Sequence, residues 1–249
     1  MDINLKGKNA FVGGSSKGIG KATAIELAKL GANITLVSRS ADKMIDILHE
    51  LDNSLGQYHD FLVVDFKDIE NLKKRAHAIA LKKDIHILVN NTGGPEPGGL
   101  LEAGLNDFLG AFKNHLICNH LLVKSFVNGM KRSGYGRIIN IISTSVKEPL
   151  DGLGVSNTTR AAVANWAKTL ANELGKFGIT VNNVLPGATG TARLKEIIDN
   201  KANKTGKSFD EVAEAIGIFF STSFFVGTTT YSFNINITSH LTHTFSSLH

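Results

Sequence analysis

A single cysteine in 249 residues, Cys118, excludes an internal disulfide, and its place on an apolar helical stretch makes it a buried structural thiol rather than a nucleophile. Uninterrupted apolar runs of about 18 residues are missing, and Met1-Asp2-Ile3-Asn4 has no basic-apolar-small leader, so neither a membrane span nor a secretory signal is expected. The chain therefore reads as cytoplasmic. The net charge of +5 comes from scattered lysines that are not clustered with aromatics, which argues against a nucleic-acid partner. His115 and His120 are five apart in sequence, not the four that pairs two metal-ligating histidines on a helix, so no metal is expected. Charge is most conspicuously missing at the end. Residues 217–249 hold no Asp, Glu, Lys or Arg, whereas residues 1–216 hold all 27 basic and all 22 acidic side chains.

The most informative feature present is Phe11-Val12-Gly13-Gly14-Ser15-Ser16-Lys17-Gly18-Ile19-Gly20. It reads as an apolar strand entering a glycine-rich turn and opening a helix, because Gly31 then stops the helix before a second strand at 33–37. Glycine lets the backbone approach phosphate oxygens, and the helix start offers unpaired N–H groups and a positive dipole end. Strands are expected near 8–13, 33–37, 58–64, 85–89, 136–142 and 179–184, and helices near 18–30, 40–54, 67–82, 106–132 and 156–176. This alternation predicts an α/β fold, a doubly wound parallel sheet of the Rossmann kind, in one domain of residues 1–216 followed by an atypical segment at 217–249. The runs Phe61-Leu62-Val63-Val64, Ile85-His86-Ile87-Leu88-Val89 and Ile138-Ile139-Asn140-Ile141-Ile142 are read as strands buried on both faces. Ligands of such sheets bind outside the carboxyl ends of the strands. Those ends read Ser38-Arg39, Asp65-Phe66, Asn90-Asn91-Thr92-Gly93, Ser143-Thr144-Ser145 and Pro186-Gly187.

Gly14-x-x-x-Gly18-Ile19-Gly20, then Asn90-Asn91-Thr92-Gly93, Ser143 and Pro186-Gly187 in this order resemble the short-chain dehydrogenase/reductase family, near its 3-oxoacyl-acyl-carrier-protein reductase-like branch, over residues 1 to about 216. The resemblance implies a nicotinamide cofactor and hydride transfer to or from a carbonyl or secondary alcohol. The cofactor is held by Gly14, Ser15, Ser16, Lys17, Gly18, Ile19 and Gly20, with Asp65 and Phe66 flanking the adenine. Asn90, Asn91 and Gly93 lie along the ribose and nicotinamide, with Pro186 and Gly187 beyond them. Charge selects between the two nicotinamide cofactors. The second strand ends in Ser38-Arg39 rather than in an acidic residue that would receive the ribose 2′-hydroxyl, and Arg39 with Lys17 would grip a 2′-phosphate, so NADP(H) is expected.

The catalytic pattern of the family is broken. Ser143 matches its serine, but the positions of its tyrosine and lysine hold Ser156 and Arg160. A serine hydroxyl is a much weaker acid than a phenol, and an arginine keeps its charge without shuttling a proton. The family's helix asparagine falls on His115, with Asn114 immediately before it. His115 reads either as a replacement general acid or as a histidine packed in a helix interface or facing solvent. Ser143, Thr144, Ser145 and Ser156 would hold a proton-donating water, with Arg160 steadying the developing oxyanion.

Small residues along Asn157–Leu174 allow close helix approach, and the resemblance implies a homo-oligomer, dimer or tetramer, built on this helix and the long one before it. The run 188–193 resembles the stretch that leads into the family's substrate-covering helices, whose basic residues include Lys195, Lys201 and Lys204. The uncharged end has two readings, a shifted frame near Ile216 that leaves an unselected tail, or a divergent terminus in which residues 228–237 supply an edge strand. Three functions stay open: an NADP(H)-dependent oxidoreductase, a nucleotide-sensing module without turnover, and a structural partner in a mixed oligomer.

Overall fold

The computed structural model describes residues 3–215. The uncharged segment at 217–249, with its suggested edge strand, lies outside the described residues.

Six parallel strands form one sheet in the order β3-β2-β1-β4-β5-β6, namely β3 Asp60–Val63, β2 Asn33–Ser38, β1 Asn9–Gly13, β4 Ile87–Asn90, β5 Gly136–Ile141 and β6 Ile179–Val184. Side chains alternate across it. Ala10 and Val12 enter one apolar layer with Ala24 and Ala28 of α1 (Gly18–Lys29) and with Met44 and Ile47 of α2 (Ala41–Glu50). Phe11, Leu88 and Ile138 enter the other, against α3 (Ile69–Ala80), α5 (Cys118–Arg132) and α6 (Gly154–Leu174). Phe11 meets Phe126 there with ring centroids 5.0 Å apart. Alanine at positions 24 and 28 lets α1 lie close to β1, which brings the N-terminus of that helix beside the strand end. The doubly wound parallel sheet expected from the alternation of elements is thus present.

Two expectations are corrected by the tertiary arrangement. Phe61 and Val63 are 37% and 39% exposed, so the run at 61–64 is not buried on both faces. The cause is position, because β3 ends the sheet and the face that carries Phe61 and Val63 is only partly covered. The helix expected at 106–132 is interrupted. It runs as α4 (Leu105–Phe112), a π-helical turn (Lys113–Ile117) and α5. A π turn adds a residue to the helical repeat and re-aims the side chains beyond it, here leaving His115 buried and His120 exposed. His120 instead stands edge-on to Trp166, with centroids 6.2 Å apart. Two short helices, α7 (Ala192–Thr205) and α8 (Phe209–Ala215), come after β6. None of the helices among the described residues is long and apolar enough to cross a membrane.

Candidate active site

The strand order reverses between β1 and β4, and the loops leaving these two strands face each other. Gly14 and Gly18 adopt φ values of +58° and +56°, which L side chains rarely take. Gly20 is constrained by space instead: an added Cβ would collide with the Gly14 carbonyl and sit 2.7 Å from Asn91 Nδ2. Asn91 holds the turn by donating from Nδ2 to the Gly13 carbonyl at 3.1 Å. Ser15 is fully buried, and its Oγ accepts the Val37 N–H at 2.7 Å, so this hydroxyl ties the turn to β2. Ser16 is partly buried, Ile19 likewise, and Lys17 is exposed at the head of α1.

The mouth of this turn is bordered by the end of β2. Ser38 is nearly buried and its Oγ accepts from the Ser40 N–H at 3.1 Å. Arg39 is 73% exposed and reaches Asp65 only at 3.9 Å. Such a surface pair contributes little, so Arg39 remains available to an anion. Asp65 caps its own turn by accepting from the Lys67 N–H at 2.9 Å. The Phe66 ring packs against the α3–α5 layer, while its carbonyl receives the Cys118 thiol at 3.2 Å. Burial pushes that thiol up to about 11, which suits a structural cysteine.

A buried polar row crosses the three remaining strand ends. Asn90 Nδ2 donates to Asn140 Oδ1 at 2.8 Å, and Asn140 Nδ2 donates to Asn183 Oδ1 at 3.1 Å. These residues are register partners on β4, β5 and β6. Of the three, sequence reasoning points to Asn90 alone. The available signal is the asparagine near the end of each strand, which has no meaning until the register is known. Asn90 Oδ1 is buried without a partner among the described residues.

Ser143 heads a 3₁₀ turn, Thr144–Val146, and its Oγ accepts the Ser145 N–H at 3.1 Å. Its own hydroxyl proton is thereby left to donate elsewhere. Ser145 Oγ is buried and unpartnered among the described residues. Thr144 N–H donates to the Pro186 carbonyl at 3.2 Å, joining the loops after β5 and β6, and Gly187 lies exposed beside Thr144. On α6, Val155, Thr159, Val163 and Ala167 face the core, so Ser156 and Arg160 share the adjoining face one turn apart. Arg160 donates from Nη1 to the Ile141 carbonyl at 2.8 Å, and its other amino group stands 3.8 Å from where a Gly94 Cβ would lie. The guanidinium therefore fills the space between the ends of β4 and β5. Burial pulls its pKa down to about 10, which still leaves it charged at neutral pH.

His115 points into the same region. Its Nδ1 lies 2.6 Å from Thr92 Oγ1, a residue of the loop after β4. Burial, and then the Arg160 charge, holds its pKa down at about 3, so the ring is neutral near pH 7. Gly93 has open space where a Cβ would stand, leaving a ledge beside this cluster. No group of three or more His, Cys, Asp or Glu among the described residues is arranged to hold a metal ion.

Comparison with known proteins agrees with this geometry. Residues 8–202 match the short chain dehydrogenase family. The chain is 31% identical over 243 residues to an NADPH-dependent aldehyde reductase-like protein of Arabidopsis thaliana, covering 90% of this chain and 89% of the relative. It is 32% identical over 207 residues to the 3-oxoacyl-acyl-carrier-protein reductase of Aquifex aeolicus, covering 81% and 83%. Among solved structures it is similar to L-sorbose reductase from Gluconobacter frateurii, complexed with NADPH and L-sorbose, with a TM-score of 0.79 and 29% identity over 87% of this chain and 82% of that one.

Proposed function

Because the chain belongs to the short chain dehydrogenase family, we propose that it is a cytoplasmic NADP(H)-dependent oxidoreductase that interconverts a carbonyl and a secondary alcohol at an altered active site. The observation that carries this reading is the turn after β1, in which Gly14 and Gly18 take positive φ and Gly20 leaves no room for a Cβ, bordered by the weakly paired Arg39 and the exposed Lys17. The backbone of Gly14, Ser16, Gly18, Ile19 and Gly20 fits a pyrophosphate, and the two cations fit a 2′-phosphate. Asp65 and Phe66 border the adenine side. Asn90, Asn91 and Gly93 border the ribose and nicotinamide side, with Pro186 and Gly187 closing its far end. The relatives named as NADPH-dependent support the choice of cofactor.

NADPH, when bound, supplies the hydride that reaches the carbonyl carbon. The carbonyl oxygen then needs one proton, and no tyrosine occupies the family's position for it. Ser143, whose Oγ already accepts the Ser145 N–H, has a free hydroxyl proton to donate, and with Thr144 and Ser156 it would hold the water that gives up the proton. Arg160 contributes fixed positive charge as the oxygen becomes negative, without itself moving a proton. His115, neutral, acts as a hydrogen-bonding group rather than as an imidazolium acid. Replacing a positioned acid by bound water leaves a slower reaction, by roughly 10²- to 10⁴-fold.

The same chain would work as a homo-oligomer. Leu105 and Leu109 stand one helical turn apart on α4 at 83% and 67% exposed, an apolar surface that a second copy would cover. The test of the central reading is loss of NADPH absorbance with a panel of ketones, β-keto esters and aldehydes. Turnover that falls in Ser143→Ala and Arg160→Met supports it. Binding of NADPH with no turnover on any carbonyl would instead leave a sensing module.

A further inference from the structure

Thr92 and His115 form the shortest polar contact of the cluster at the β4 end, Oγ1 to Nδ1 at 2.6 Å. Neither residue reaches the other by local chain geometry. Thr92 lies two residues beyond β4, and His115 lies at the centre of the π-helical turn that separates α4 from α5. The extra residue of that turn aims the ring inward, to 2% exposure. A buried neutral imidazole has one N–H and one lone pair, and its partner decides which nitrogen carries the proton. Here Nδ1 meets a hydroxyl. Were Nδ1 the protonated nitrogen, the Thr92 hydroxyl proton would have no protein acceptor, since Thr92 Oγ1 makes no other hydrogen bond among the described residues. Donation from Thr92 to Nδ1 satisfies both groups.

We propose that Thr92 is a positioning residue that fixes His115 as its Nε2–H tautomer, making the imidazole a preset hydrogen-bond donor for the substrate's carbonyl oxygen. This rests on the reductase reading above and deepens it. Nε2 lies on the side of the ring away from Thr92, and the group shares its surroundings with Arg160, whose guanidinium spans the β4 and β5 ends. The two divide the labour left by the missing phenol. Arg160 supplies charge and His115 supplies a directed N–H, while water supplies the proton that the reaction consumes. A neutral donor is effective here because it need not lose a proton, and it stays neutral beside the cation.

The experiment is nitrogen-15 NMR of the full chain, with the His115 signals assigned by their loss in His115→Gln, combined with kinetics using NADPH and ethyl acetoacetate. The unaltered chain is expected to show Nδ1 as the unprotonated nitrogen and Nε2 as the protonated one. Thr92→Val, of the same shape but without the hydroxyl, is expected to mix the tautomers and to lower kcat by about 10- to 100-fold with the KM for NADPH unchanged. Thr92→Ser, which keeps the hydroxyl, is expected to restore both. A protonated Nδ1 in the unaltered chain, or Thr92→Val with unchanged tautomer and kcat, or Thr92→Ser as impaired as Thr92→Val, overturns the proposal. Failure of the unaltered chain to consume NADPH would sink the reductase reading and the carbonyl-donor role with it, whereas the nitrogen signals would still decide whether Thr92 sets the ring.

Discussion

Asn91 Nδ2 stands 3.1 Å from the carbonyl oxygen of Gly13, so a side chain leaving β4 closes the turn that leaves β1. The same amide lies 2.7 Å from the place where a Cβ on Gly20 would be. Three segments thus meet with no spare volume between them. Gly20→Ala is expected to cost about 1–3 kcal/mol of stability, as overpacked sites do, and to weaken NADPH binding by displacing the turn. Urea unfolding and calorimetric titration check the two effects, and a variant that folds and binds like the unaltered chain would refute the packing described.

Arg39 is exposed and only loosely associated with Asp65 at 3.9 Å, so its charge does little for the fold. Arg39→Asp is expected to leave the melting temperature nearly unchanged. NADPH affinity should fall by roughly 10- to 100-fold, the range of one lost charge-assisted bond of about 1.5–3 kcal/mol, while NADH affinity holds or rises. Titrating both cofactors into both proteins measures the ratio, and an unaltered preference would remove Arg39 from the 2′-phosphate site.

The asparagine row makes a sharper demand on stability. Asn140→Leu would strand the Asn90 amide and the Asn183 carbonyl in a region where Asn140 itself is fully buried. Each stranded buried group costs about 1–3 kcal/mol, so a loss of roughly 2–6 kcal/mol is expected. Asn183→Ala, at the less buried end, should cost less. Equal losses in chemical denaturation would show that the three amides do not act as a graded row.

His115 ties stability to acidity. Its folded pKa of about 3 lies below the ordinary histidine value of 6.5, so the unfolded chain takes up the proton first as pH falls. The contribution of the neutral ring is therefore complete above about pH 6.5 and is lost progressively between there and pH 3. Between pH 6.5 and 4.5 this amounts to about 2–3 kcal/mol, at close to 1.4 kcal/mol per unit. Denaturation midpoints of the unaltered chain and of His115→Gln across this range should converge as pH falls. Parallel curves would place the ring in contact with solvent.

Much of the architecture was legible because it rests on short-range signals. Ala10 to Gly13 and Ile87 to Val89 read as strands because buried parallel strands are apolar nearly throughout. The turn between β1 and α1 was legible because only glycine readily takes the φ values of Gly14 and Gly18 and fits the space at Gly20. Edge position was not legible: Phe61 and Val63 look like core residues, and only the place of β3 in the sheet order leaves them uncovered. The break at Lys113–Ile117 was equally hidden, since no proline or glycine marks it and its apolar spacing passes for continuous helix.

The order of residue types along the chain determined the class of fold, and the proposals of a phosphate-binding turn at 13–20 and of Ser156 and Arg160 at the family's tyrosine and lysine positions also rest on it, all matters of local periodicity and of identity at a position. Tertiary structure alone decided that Asn90, Asn140 and Asn183 share a row, that Arg160 ends on the Ile141 carbonyl and that His115 turns to Thr92. These depend on the register of strands about fifty residues apart and on one residue's extra advance in a helix, and hydrogen bonds fixed by such alignment leave no trace in any single stretch of sequence.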